Sequence, residues 1–98
     1  MAGYSLSNQA DSDLGEIYRY SHRTFGEARA DAYFLSLASC LRTLAETPRL
    51  GRDARLKVPG LLRHEHAQHV IFYQIEEAGI FVVRILHRSM DLPDRLEE

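Results

Sequence analysis

The spacing of apolar residues changes twice along this chain. Tyr4 and Leu6 alternate with Ser5 and Ser7, the period-two pattern of a short strand half buried on one face. From Asn8 the period lengthens. Leu14, Ile17, Tyr18 and Phe25 line one side of a 3.6-residue helix, while Glu16, Arg19 and Arg23 face water. Ser7 or Asn8 is placed to cap this helix, and Gly26 follows its last apolar position, where a left-handed helix end favours a residue without a β-carbon. Glu27 then offers an acidic start to a second helix running to about Glu46, with Tyr33, Phe34, Leu37, Leu41, Leu44 and Ala45 as its apolar face. Pro48 denies that helix a further backbone donor. The pattern predicts a helical hairpin, and its apolar side needs a flat surface to pack on.

After residue 60 the period shortens again. Residues 61–66, 69–75 and 80–87 read as three strands of an antiparallel meander, rich in Val, Ile, Phe and Tyr. The EEAG connection suits a hairpin in which Gly79 supplies a positive backbone angle. The predicted class is α+β in the order β-α-α-β-β-β, a helical hairpin on a mostly antiparallel sheet, within a single domain spanning residues 1–98. VIFYQI and IFVVRIL are apolar on both alternating faces, and one helical hairpin covers only one of them. Either Ile71, Tyr73 and Ile75 or the alternates Val70 and Phe72 meet the helices. The remaining set is expected to need a partner.

Composition narrows the function classes. A chain of 98 residues with 45% hydrophobic and 27% charged residues is that of an ordinary small globular domain, of a size that commonly leans on a partner. No apolar run is long enough to span a membrane, and the opening MAGYSLSN lacks the basic start and apolar core of a secretory signal. Cys40 is the single cysteine, so no internal disulfide forms, and a reducing cytoplasm is the expected location. Its apolar neighbours make Cys40 a small core residue.

A net charge of -2 argues against wholesale phosphate binding. The charge is unevenly placed. Residues 47–60 hold Arg49, Arg52, Arg55 and Lys57 against Asp53, whereas the closing DLPDRLEE holds four acids against Arg95. A solvated connection is the expected role of the basic segment, ahead of a phosphate contact.

RHEHAQHVIFYQI places three histidines within six positions. In an extended strand His64 and His66 share a face and His69 lies across a turn, a spacing compatible with zinc. No Cys pair and no HExxH helix accompanies them, and they are expected to be polar residues at strand ends. Neither metal nor cofactor is expected.

These segments together resemble the ParE toxins of the RelE/ParE toxin-antitoxin superfamily. The resemblance runs over YSLSNQADSDLGEIYRYSHRTFGEARADAYFLSLASCLRTLAETPRLGR and LLRHEHAQHVIFYQIEEAGIFVVRILHRSMD. Its most specific pieces are EHAQHVIFYQI and the closing RILHRSMD, similar to the family's ending of arginine, small apolar pair, histidine and methionine-aspartate. The resemblance implies the same α+β architecture, a ParD-like antitoxin whose disordered tail folds onto the toxin, and inhibition of DNA gyrase. Contact with nucleic acid would be indirect, through the antitoxin's ribbon-helix-helix half.

The RelE branch of the superfamily cleaves messenger RNA on the ribosome, and this chain could nominate His69, His87, Arg84, Arg88 and Lys57 for such chemistry. The resemblance to nuclease members fails in two places. The region before the hairpin holds one lysine, and residues 89–98 contain neither Tyr nor His. The acidic tail would also repel a phosphate substrate. A third class is an inert complex-forming module whose toxicity has been lost.

The expected antitoxin contacts are Phe72, Tyr73, Val82 and Arg84, with whichever of Phe72 and Tyr73 faces the helices serving as core. Arg84 interrupts VVRIL and needs a carboxylate, with Asp13, Glu16 and Asp91 as candidates, or a partner. His87, Arg88, Met90 and Asp91, where the last strand gives out, are the expected target-binding surface.

Overall fold

The computed structural model describes residues 3–90. Its elements are β1 (Gly3–Leu6), α1 (Asn8–Phe25), α2 (Glu27–Glu46), a short 3-10 turn at Pro48–Leu50, β2 (Arg52–Asp53), β3 (Leu62–His66), β4 (His69–Glu76) and β5 (Gly79–His87). The five strands form one sheet in the order β1-β5-β4-β3-β2. β1 runs parallel to β5 and every other pair is antiparallel. The α+β class and the element order agree with the sequence reading; the two-residue β2 is an addition that the apolar pattern does not signal.

The local signals act where the sequence placed them. The Ser7 hydroxyl oxygen accepts from the Ala10 N–H at 2.9 Å and caps α1. Gly26, at φ 92°, donates its N–H to the His22 carbonyl and accepts from the Ala30 N–H, so it closes α1 and opens α2 at once. Gly79 adopts φ 148° after the Glu77–Ala78 turn, and a β-carbon there would collide with the Gly3 carbonyl of the neighbouring strand. The helices are tied together by Tyr18, whose hydroxyl donates to Asp31 at 2.7 Å and whose ring meets Phe34 edge-on at 6.1 Å.

A bulge in β5 decides which residues form the core. Tyr73 is opposite Val82 but Phe72 is opposite Arg84, so Val83 is an extra residue in the ladder. Strict alternation from Ile80 and Val82 would bring Arg84 under the helices. The extra residue re-phases the strand instead, and Ile85 takes the core position. Ile80, Val82 and Ile85 then pack with Ile71 and Tyr73 of β4 against Ala10, Leu14, Leu37, Leu41 and Leu44 of the helices. Tyr73 is wholly enclosed. Its hydroxyl donates to the Pro48 carbonyl at 2.6 Å and accepts from the Gly51 N–H at 3.0 Å, so the polar atom that Tyr73 carries into this core is satisfied.

The far face of the sheet corrects the expectation that a partner must cover it. Ala54 and Leu61, with Leu56 and Val58 beside them, fold the β2–β3 connection over Val70, Phe72 and Leu86 as a second, smaller core. Phe72 is 5% exposed as a result. The cations of residues 47–60 suggest a solvated loop, yet the apolar residues between them are the lid of this face.

The Tyr73 hydroxyl bridges two backbone groups from one connection, the Pro48 carbonyl and the Gly51 N–H. Tyr73→Phe takes that partner from both, and urea unfolding should report a loss of about 1–3 kcal/mol with an unchanged denaturant slope.

Candidate functional site: an open groove beside the β5 bulge

α1 outruns the sheet. Only Ala10, Leu14 and Ser21 of this helix are fully buried, and of the apolar stripe predicted from Leu14 to Phe25 only Leu14 and the half-buried Ile17 pack on the core. Past Leu14 the helix leaves a groove of about 970 Å³ between its second half, the start of α2 and the end of β5. Ile17, Tyr20 and Phe25 form one wall, Ala32 and Tyr33 another, and Ile85 and Met90 the floor and rim. Tyr20, Phe25 and Met90 are 58%, 53% and 58% exposed, so three large apolar side chains meet water along one concave surface. Contiguous exposed apolar surface of this kind marks a binding site.

An ion pair closes one end. Arg84 reaches Asp13 through Nε to Oδ2 at 2.8 Å and Nη2 to Oδ1 at 3.0 Å, and Asp13 Oδ2 also accepts from the Ile85 N–H at 3.0 Å. Bidentate pairing of this geometry is among the stronger charge-assisted contacts. It raises the Arg84 pKa, chiefly through the Asp13 hydrogen bond. Asp13 is thus the carboxylate that Arg84 was expected to need, and it also satisfies the Ile85 backbone donor, past the point where β1 stops pairing with β5.

The other end carries the histidines. His69 Nδ1 lies 2.6 Å from the Tyr33 hydroxyl, and the His69 ring packs edge-on against His87 at 5.6 Å. His66 Nε2 lies 2.8 Å from the Ser36 hydroxyl, and the Ser89 N–H donates to His87 Nδ1 at 3.2 Å. Burial, then the neighbouring His87 and His66, lowers the His69 pKa to about 4. Burial and His64 lower that of His66. Around neutral pH His69 is therefore an uncharged hydrogen-bonding group at the groove's edge. Among the described residues no three His, Cys, Asp or Glu side chains converge as metal ligands.

The expected contact residues separate under this geometry. Tyr73 and Val82 are both 0% exposed beneath the helices, and Phe72 lies under residues 54–61, so these three are core rather than free contact surface. Arg84 lines the groove. His87, Arg88 and Met90 are exposed where β5 ends, with His87 and Met90 on the groove itself; Asp91 lies outside the described residues. The nuclease candidates assemble only in part. His69, His87 and Arg84 line the groove, with Arg84 already paired to Asp13, whereas Lys57 belongs to the connection that covers the opposite face. Sequence reading missed Tyr20 and Tyr33 as groove residues. The available signal was an apolar helix face wider and longer than the sheet beneath it.

Alanine at Asp13 and Arg84, singly and together, should give a double-mutant cycle with a coupling of about 1–3 kcal/mol, well above an exposed pair. The pH dependence has a definite sign. The lowered His69 pKa means the unfolded chain takes up the proton first, so stability is full above pH 6.5 and falls as pH drops towards about 4. Ring resonances of His69 should titrate near that lower limit, and His69→Asn should flatten stability over the same interval.

Comparison with known proteins places this geometry. The profile for the ParE toxin of type II toxin-antitoxin system, parDE, matches residues 4–92. Toxin ParE1 of Caulobacter vibrioides is 32% identical over 91 residues, covering 93% of this chain and 94% of that protein. Toxin ParE1 of Mycobacterium tuberculosis is 33% identical over 94 residues, covering 95% and 96%. Among solved structures, the chromosomal ParDE toxin-antitoxin system from P. aeruginosa aligns with a TM-score of 0.72 at 19% identity over 89% of this chain and 96% of that one. The toxin-antitoxin complex RelBE2 from Mycobacterium tuberculosis aligns at 0.63 and 19% identity over 89% and 98%. The structural likenesses carry the fold, the sequence matches carry the family, and the chain belongs to the ParE toxins of type II toxin-antitoxin systems.

Proposed function

We propose that this toxin acts by binding DNA gyrase, and that a ParD-like antitoxin neutralises it by laying an amphipathic segment into the groove beside α1. The observation that carries the reading is the groove itself: a concave, largely apolar surface in a ParE-family chain whose other sheet face is closed by its own residues 54–61. An amphipathic helix docks by setting successive apolar anchors into such a surface. The Asp13–Arg84 pair and the neutral His69 supply polar groups at its two ends. A neighbouring fold solved as a ParDE system is consistent with that mode.

The proposed target surface is His87, Arg88, Met90 and Asp91. Because His87 and Met90 also line the groove, an occupant there would cover part of the surface offered to gyrase. Neutralisation is then steric. The reading is of a protein-binding toxin in the cytoplasm; the messenger-RNA nuclease alternative has less support because Arg84 is already paired with Asp13 and Lys57 lies on the opposite face from the groove.

Purified toxin should inhibit gyrase supercoiling, and the product of a neighbouring small reading frame with a strand-helix-helix start should reverse the inhibition. Tyr20→Asp, at an exposed position of α1 in the groove, should weaken that reversal at least tenfold while inhibition persists. Replacing His87, Arg88 and Met90 by alanine should abolish inhibition with the fold retained. Unimpeded supercoiling beside translation-dependent RNA cleavage would overturn the proposal.

A further inference from the structure

The opposite edge of the sheet carries a feature that the groove does not use. Arg52 of β2 and Arg63 of β3 are paired directly across the strands. Like charges in that position destabilise a ladder. One exposed carboxylate answers both: Glu65 lies 3.6 Å from Arg52 and 3.5 Å from Arg63, longer than a charge-assisted hydrogen bond. Arg63 is held over the Phe72 ring at 5.7 Å, and its Nε is buried with no hydrogen-bond partner among the described residues.

The loop that follows repeats the pattern. Arg55 has a left-handed backbone at φ 61°, an uncommon state for a residue that carries a β-carbon. Asp53 holds it there by accepting the Arg55 N–H at 2.6 Å, so the segment's own acid is engaged in shaping the turn. Arg52, Arg55 and Lys57 are all exposed within six residues. An arginine facing an arginine, an unpartnered Nε and two further exposed cations leave positive charge at this edge that Glu65 answers only in part.

We propose that Arg52, Arg55, Lys57 and Arg63 form a contact site for the phosphodiester backbone of nucleic acid. A guanidinium fork matches phosphate oxygens in a bidentate arrangement, and cations distributed along an extended edge suit a chain of repeated phosphates better than one carboxylate. Contacts to phosphate carry no sequence information directly, so binding through these cations to the backbone alone is independent of nucleotide sequence. The site lies on the sheet face away from the groove, and a toxin seated there on DNA keeps its groove open. It does not depend on the identity of the toxin's protein target.

Fluorescence anisotropy of the full chain with a labelled mixed-sequence DNA duplex, over a salt series, tests this directly. Each lost phosphate contact makes the log–log salt slope shallower by about 0.9. R52Q/R55Q should therefore flatten the slope by about 1.8 and weaken low-salt binding at least tenfold, and K57Q alone should flatten it by about 0.9. The charge-matched R23Q/R42Q, on the helices, should leave the slope unchanged. Equal effects of the two double variants would reduce the site to net charge and overturn the proposal. Tighter binding of labelled polyglutamate than of the duplex would overturn it in favour of an acidic protein. K57Q, outside any strand, keeps the test decisive if R52Q/R55Q fails to fold.

Discussion

The β5 bulge is the constraint on which the rest of this small fold depends. The bulge re-phases β5 against β4, and where β1 stops at Leu6 opposite Val82 the next backbone groups of β5 are met by Ser7 and the first turns of α1. The Ser7 N–H donates to the Val82 carbonyl at 2.9 Å and its hydroxyl to the Val83 carbonyl at 2.7 Å, while Asp13 takes the Ile85 N–H. Residues more than 70 positions apart are thereby fixed to one another. The same contacts cap α1, set its angle on the sheet and carry Arg84 out of the core. With α1 held at its start and overhanging at its end, the groove follows.

The two faces of the sheet are treated unequally. A domain of this size buries a modest share of its surface, and sealing both faces with its own chain would leave little to offer a partner. Residues 54–61 seal the far face economically, with a few small and aliphatic side chains set between cations. On the near face the helices seal only as far as Leu14 and Leu37. Beyond them Ile17 still packs on the edge of the core, whereas Tyr20 and Phe25 stay apolar and exposed along the groove, as a recognition surface requires.

The secondary structure was legible because its signals are local. The shift from period two to period 3.6 at Asn8, the Gly26 break, Pro48 and Gly79 each act within a turn of where they stand. Side-chain facing was less legible, since it rests on the bulge. The residues VVRIL carry no local mark of an extra member, and counting by twos sends Arg84 and Ile85 to the wrong faces. Tyr73 and Val82, expected as contact residues, were lost to the core for related reasons: which face meets the helices is decided by tertiary packing. The lid over Phe72 was hidden because Ala54, Leu56, Val58 and Leu61 are diluted by Arg55, Lys57 and Pro59. The exposure of His87, Arg88 and Met90 was legible from their place at the strand's end, whereas Tyr20 and Tyr33 join His87 and Met90 along the groove only through the helix overhang.

The central claim is that recognition uses the groove and leaves the far face closed. Hydrogen–deuterium exchange of the toxin, alone and saturated with its antitoxin, measures this most directly. The account predicts new protection in the second half of α1, the start of α2 and residues 84–90, with exchange over residues 52–63 unchanged. Protection gained over residues 54–61, with none along α1, would contradict it.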